Sequence, residues 1–319
     1  MSGRVGATAE HRDAGDVPVT PDDIERAAGR IDGHVRRTPV IEHDGLWLKL
    51  ELLQHAGSFK SRGAFNRILS ETEIPPAGVL AASGGNHGAA VAYAASRLSI
   101  PAEVVIPSTS PALKRALIER HGARAIVVDG FYDDAQHAAE DRQARTGALL
   151  LHPFDHPSTV AGQGTMSREL EHQLDPIDTL LVACGGGGFI AGQAAWFRDR
   201  VRVVSVEPET SQCLRAAVEA GTPTVVPVGG IAADSLGSRQ LGHVPWEVVR
   251  RYVDESVTVT DDAIRATQRA IWDELRLISE PGGAAALAAF RSGVYRPERS
   301  ERVVVVLCGS NCDPATVAG

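Results

Sequence analysis

The chain has 319 residues, 43% of them apolar, and a formal net charge of −8. That length supports a sizeable core in one large or two modest domains, while the acidic balance and the lack of any Lys/Arg run exclude a basic nucleic-acid-binding face. Apolar runs such as 303–308 have strand length and fall far short of a membrane span.

Residues 1–18 carry Arg4, Glu10, His11, Arg12, Asp13 and Asp16 and no apolar stretch, which reads as a disordered tail and not as a signal peptide. Thr20-Pro21-Asp22-Asp23 predicts a helix start: a capping Thr, Pro at the first helical position, acids in the first turn. Leu48-Lys49-Leu50-Glu51-Leu52 is strand-like and leads into Gly57-Ser58-Phe59-Lys60-Ser61-Arg62-Gly63-Ala64. A lysine between an aromatic and small residues can be desolvated into a usable amine nucleophile, although a lone loop lysine is usually just solvated.

Short runs rich in Val, Ile and Leu then recur at 79–82, 102–106, 125–128, 179–183, 202–206 and 302–307. Several lack polar/apolar alternation, as strands buried on both faces do. Helix-length segments between them predict βαβ units and one or two mainly parallel sheets. No interior linker divides the chain, so a second domain would be formed by an excursion of it.

Two loops among these units can carry chemistry. Ser83-Gly84-Gly85-Asn86-His87-Gly88 follows the run at 79–82 and opens a helix over 89–97. Helix-start amides with hydroxyl, amide and imidazole donors form a carboxylate clamp, or else a simple N-cap turn. Cys184-Gly185-Gly186-Gly187-Gly188-Phe189-Ile190-Ala191-Gly192 follows the run at 179–183 and also opens a helix. Without Cβ atoms its backbone can curl with N–H groups facing an anion, and a phosphate is the natural guest. The same loop fits a dinucleotide site, because Gly186, Gly188 and Ala191 match G-x-G-x-x-A and Glu207 lies 21 residues past Gly186. On this segment alone the two readings are close. His152 and His156, in a Pro-interrupted loop without a third ligand, read as structural. Trp196, Trp246 and Trp272 read as packing. Cysteines 184, 213, 308 and 312 show no CxxC pair or zinc spacing, which predicts reduced thiols in a cytoplasmic protein.

Ser58-Phe59-Lys60-x-Arg62-Gly63-Ala64, Ser83-Gly84-Gly85-Asn86-His87, the four glycines 185–188, Glu280-Pro281 with Gly283-Ala284-Ala285, and Cys308-Gly309-Ser310-Asn311 occur in that order. Together they resemble the serine/threonine dehydratase family of fold-type-II pyridoxal-phosphate enzymes, which also contains serine racemase. The likeness runs from about Thr38 to Asp313. The dinucleotide reading leaves Lys60, the Asn86 loop and the C-terminal loop unexplained.

The resemblance implies an α/β fold of two domains, each with a mainly parallel sheet flanked by helices: 19–76 with 148–319 as the large cofactor-binding domain, and 77–147 as the small one. It implies pyridoxal phosphate held covalently by Lys60, which also serves as the proton-transfer base, with Phe59 packed nearby. Gly185, Gly186, Gly187 and Gly188 would bind the phosphate, and Asn86 the cofactor's phenolic oxygen. Ser83, Gly85, Asn86 and His87 would hold the substrate, chiefly its carboxylate. Gly230 would lie beside the cofactor ring and Cys308 at its pyridine nitrogen. A neutral thiol there makes a weaker electron sink than a protonated ring, which favours loss of a β-leaving group; without the other motifs, Cys308 reads as a buried core thiol.

Three positions depart from the family. Gly84 stands where racemase-like members carry Ser as the acid on the ring face opposite the lysine, which favours elimination. The cation site would fall at Glu207, Ser211 and Cys213, where a thiol is a poor ligand for a hard divalent ion; a monovalent ion held by Glu207 and backbone carbonyls is the remaining form. The stretch 129–134 lacks an Arg that racemase-like members place near the substrate hydroxyl. The chain ends about six residues past Asp313, so no amino-acid-sensing domain is expected. The expected activity is deamination of L-threonine, L-serine or a related β-hydroxy amino acid by a homodimer or homotetramer with no nucleic-acid or membrane partner. The alternatives are a racemase of the same family and a catalytically silent pyridoxal-phosphate-binding protein; a β-replacement enzyme of the cysteine-synthase type fits the signatures less well.

Overall fold

Thr20 opens the first helix, α1 (Pro21–Ile31), through a reciprocal box in which its hydroxyl accepts from the Asp23 N–H while the Asp23 carboxylate accepts from the Thr20 N–H. Ile24, Ala27 and Ile31, spaced three and four apart, form its buried face. The structure is a computed structural model and describes residues 17–110, 112–130 and 132–318. Nearly all of the expected tail, 1–18, lies outside them.

After α1 the chain runs through β1 (Val40–His43), β2 (Leu46–Lys49), α2 (Lys60–Leu69), β3 (Val79–Ala82), α3 (Asn86–Arg97), β4 (Ala102–Pro107), α4 (Ala112–Arg120), β5 (Arg124–Val128), α5 (Tyr132–Thr146) and β6 (Leu149–Leu150). It continues through α6 (Pro157–Glu171), β7 (Thr179–Ala183), α7 (Gly188–Phe197), β8 (Arg202–Pro208), α8 (Cys213–Ala220), α9 (Ala233–Leu236), α10 (His243–Tyr252), β9 (Glu255–Val259), α11 (Asp261–Leu275), α12 (Pro281–Arg291), β10 (Val303–Val306) and α13 (Ala315–Ala318).

Two sheets result. The larger has the order β1-β2-β10-β7-β8-β9, parallel except for the β1–β2 hairpin, and the smaller has the all-parallel order β5-β4-β3-β6. This is an α/β fold with two mainly parallel sheets, as expected. The small sheet takes its last strand from Leu149–Leu150, past position 147. β3, β7 and β10 are buried at every residue, as strands covered by helices on both faces must be. β9 is buried throughout too, but its sequence Glu-Ser-Val-Thr-Val hides this. Glu255 there pairs with Arg202 of β8, so a cross-strand ion pair replaces the apolar signal.

This topology delivers the site. β2, β10 and β7 are neighbours, with Val306 opposite Lys49 and Val305 opposite Leu181. Their C-terminal ends therefore carry three segments to one place: 57–60, 308–311 and 184–188. Open α/β sheets present ligand sites at that end. Behind them, α2, α6 and α7 meet backbone to backbone. A Cβ at Gly192 would lie 2.5 Å from Gly164 N, and one at Gly162 would lie 2.7 Å from Arg62 O. With no side chains between, α2 and α7 keep a fixed spacing.

Candidate active site

Lys60 is the first residue of α2, and the strand end before it is clamped to the C-terminal loop. Ser58 bridges to Gly309, and the Phe59 N–H donates to the Cys308 carbonyl at 3.2 Å. The Lys60 ammonium donates to the Pro153 carbonyl at 2.9 Å. Burial pulls its pKa down to about 8, against the opposing pull of Cys308 and Glu280. The Phe59 ring stacks on Phe189 of α7 with centroids 3.9 Å apart. That contact ties the lysine to the glycine loop.

The loop itself is shaped by what surrounds it. A Cβ at Gly186 would run into the Phe154 ring, and one at Gly188 would sit 2.7 Å from Phe154 Cβ. Gly187 adopts φ +87°, a left-handed conformation that favours glycine, and forms the N-cap of α7 without any side-chain cap. The opening amides of α7 are thus presented without a side-chain acceptor, as an anion site requires. Glu207, the acid of the dinucleotide reading, is turned away. Its two carboxylate oxygens accept from Leu214 N at 2.8 Å and Arg215 N at 2.9 Å, capping α8.

From the smaller sheet, the loop after β3 brings Ser83, Gly84, Gly85, Asn86 and His87. Gly85 is the N-cap of α3, again with no side-chain cap. Asn86 is 9% exposed, and its amide bonds to Glu280 on one side and to Asn311 on the other. The His87 imidazole has a partner within the fold. Its Nε2 donates to the Leu151 carbonyl at 2.8 Å, and burial with the nearby Lys60 charge lowers its pKa to about 3, so it stays neutral and holds the fold. The Ser83 hydroxyl accepts from Gly85 N at 3.2 Å. What this loop offers a ligand is therefore the start of α3 and the Asn86 amide.

Cys308 lies 3.5 Å from the Gly282 carbonyl, and burial pushes its thiol pKa up, aided by Glu280, so the group is neutral. Gly230, expected beside the cofactor ring, is exposed, and a Cβ on it would meet Asp261 and Thr210. The segment that faces the site loops is 234–236: Gly282 N donates to Ser235 Oγ at 3.1 Å, and a Cβ at Gly185 would lie 3.2 Å from Leu236 Cα.

The cation expectation does not fit either. Glu207 caps α8, Ser211 Oγ donates to the Leu236 carbonyl at 3.3 Å, and Cys213 Sγ donates to the Gly185 carbonyl at 3.0 Å. A thiol among donors already committed to backbone partners is no site for a hard ion. His152 Nδ1 accepts from Asp155 N and His156 Nδ1 from Ser158 N, so both rings cap backbone. At 129–134, Asp133 pairs at 3.0 Å with Arg239, an arginine from a different segment.

Two side chains gain importance that sequence reasoning passed over, though both stand inside quoted motifs. Glu280 is 2% exposed, and burial raises its pKa to about 7 with Asp234 adding to the rise, while Lys114, Asn86 and Lys60 oppose it. Asn311 bonds to Asn86 at 2.8 Å. Lys114 of α4 reaches across to pair with Asp234, and only folding could show that.

Residues 31–309 match the family described as pyridoxal-phosphate dependent enzyme, and the chain belongs to that family. It is 36% identical over 313 residues to phenylserine dehydratase of Ralstonia pickettii, covering 93% of this chain and 95% of that protein. It is 33% identical over 308 residues to L-threonine ammonia-lyase of Thermotoga maritima, covering 92% and 76%. The structure of maize serine racemase superposes with a TM-score of 0.89 at 34% identity, covering 94% of this chain and 96% of that one. The residues present fit pyridoxal phosphate: a buried amine of lowered pKa for the aldehyde, a helix start stripped of side chains for the phosphate, and a neutral thiol close enough to feel the charges of Lys60 and Glu280. Among the described residues no helix is long and apolar enough to cross a membrane.

Proposed function

We propose that this chain is an ammonia-lyase for a β-hydroxy amino acid such as L-threonine, L-serine or a phenyl-substituted serine, releasing a 2-oxo acid and ammonia. The observation that carries this reading is the buried Lys60 amine, at about 8, on the element locked to the uncapped glycine loop. Bound pyridoxal phosphate supplies the electron sink for the charge left at Cα. The amides of 185–188 and the α7 start hold its phosphate, and Lys60 holds its aldehyde carbon. The Asn86 amide would meet its phenolic oxygen, and the start of α3 would orient the substrate carboxylate toward the smaller sheet. Once the substrate amine had displaced Lys60 from that carbon, the freed Nζ would take the Cα proton; its lowered pKa suits a base working near neutral pH. The neutral Cys308 would not force a proton onto the ring, which favours loss of the β-hydroxyl, and the proton held on Lys60 Nζ would let it leave as water. The released enamine adds water and gives up ammonia.

A second reading, racemisation, draws support from one contact. Gly84 carries no side chain, but Ser110 Oγ occupies the place where its Cβ would be, so a hydroxyl does stand at that wall. One assay separates the readings. Wild-type protein with threonine, serine, phenylserine and 3-hydroxyaspartate is expected to release 2-oxo acid from at least one, and Lys60→Ala from none. Conversion of L- to D-serine without 2-oxo acid favours the racemase, and no turnover of any favours the silent binder. Lys60→Ala at the wild-type rate refutes the mechanism.

A further inference from the structure

The Asn86 amide is fixed by a chain of bonds that ends on backbone. Asn311 Nδ2 donates at 2.8 Å to the Ala56 carbonyl and at 2.8 Å to Asn86 Oδ1, using both of its N–H groups. Its own Oδ1 lies against Gly57, which has φ +72°, and a Cβ there would come within 3.0 Å of Asn311 Cγ. A backbone carbonyl only accepts, so the Asn311 amide cannot be turned over without setting its oxygen against the Ala56 carbonyl. That decides Asn86: its oxygen faces Asn311, and its nitrogen faces Glu280. One N–H goes to Glu280, and one N–H is left.

We propose that Asn311 is a positioning residue: it sets the Asn86 amide so that an N–H, and never the carbonyl, is offered to the anionic phenolic oxygen of the cofactor. This rests on the functional reading above. A carbonyl in that place would set one acceptor against another, and a bond from N–H to an anionic oxygen is among the stronger ones.

The test compares wild type, Asn86→Ala, Asn311→Asp and the double variant after loading with pyridoxal phosphate. Asp is isosteric but cannot donate, so the Asn86 oxygen loses its donor and the bond to Glu280 alone no longer fixes the amide. Two readouts apart from turnover are used: the cofactor Kd by equilibrium dialysis, and the pH titration of the absorbance band of the lysine-bound cofactor. Asn311→Asp is expected to weaken Kd about tenfold, the scale of one charge-assisted hydrogen bond, and to move the band as Asn86→Ala does. The double variant is expected to match Asn86→Ala alone, because the two residues act through one bond. Asn311→Ala, which sets no charge against Ala56, is expected to show the same non-additivity should the Asp variant unfold. Effects that multiply in the double variant, or an Asn311→Asp protein with wild-type Kd and band, overturn the proposal alone. Wild type that takes no cofactor onto Lys60 overturns the functional reading, and this one with it.

Discussion

Position 84 is governed by a neighbour from another loop. A Cβ on Gly84 would lie 2.8 Å from Ser110 Cβ and closer still to its hydroxyl, so Gly84→Ser must push Ser110 out of place. Overpacking of this kind costs about 1–3 kcal/mol. Thermal unfolding is expected to show that loss, and Ser110→Ala in the same chain is expected to restore most of it; a Gly84→Ser protein as stable as wild type speaks against the packing. The sequence shows position 84 as a departure from the family but not its reason, since Ser110 sits after β4 and reaches Gly84 only once β3 and β4 pair. Lys60, Asn86 and the four glycines are legible because their chemistry is local: an amine beside small residues, and backbone at a helix start. Glu280 and Asn311 are not, because their roles are bonds to a residue far away in the chain. His87 misleads for the same reason, its ring being claimed by Leu151.

At the scale of elements, α2 is held by a buried cluster whose members look like ordinary surface charges in sequence. Arg62 donates to Glu51 at 2.9 and 2.7 Å and to Glu169 of α6 at 3.0 Å, while Lys49 of β2 donates to Glu169 at 2.5 Å. Arg62 and Glu51 are 1% and 0% exposed. Two cations face two anions, so no charge is left over, and β2, α2 and α6 are cross-braced two residues from Lys60. Removing one partner of such a pair strands the other, at about 3–5 kcal/mol. Glu51→Ala is therefore expected to lower stability by that much in urea unfolding, and a change below about 1 kcal/mol means that Arg62 finds another partner. Apolar runs without alternation made β3, β7, β8 and β10 legible. β9 was missed because its polar residues are paired instead of exposed, and the two-residue β6 because it is too short to show a pattern.

For the whole molecule, the order β2-β10-β7 matters most, because it sets three C-terminal strand ends side by side. The smaller sheet adds the fourth segment, after β3, and the bonds of Asn86 to Glu280 and of Lys114 to Asp234 join the two sheets across the site. Parallel sheets could be expected from the alternation of short apolar runs with helix-length segments. Which strand ends become neighbours depends on crossovers that periodicity does not encode. The arrangement has one covalent consequence that is read directly by saturating purified protein with pyridoxal phosphate, reducing it with borohydride, and mapping the peptides by mass spectrometry. A single stable adduct on the peptide carrying Lys60, absent from Lys60→Ala, is expected. An unmodified Lys60 peptide, or equal labelling of the peptides carrying Lys49 and Lys114, means that this amine does not hold the cofactor.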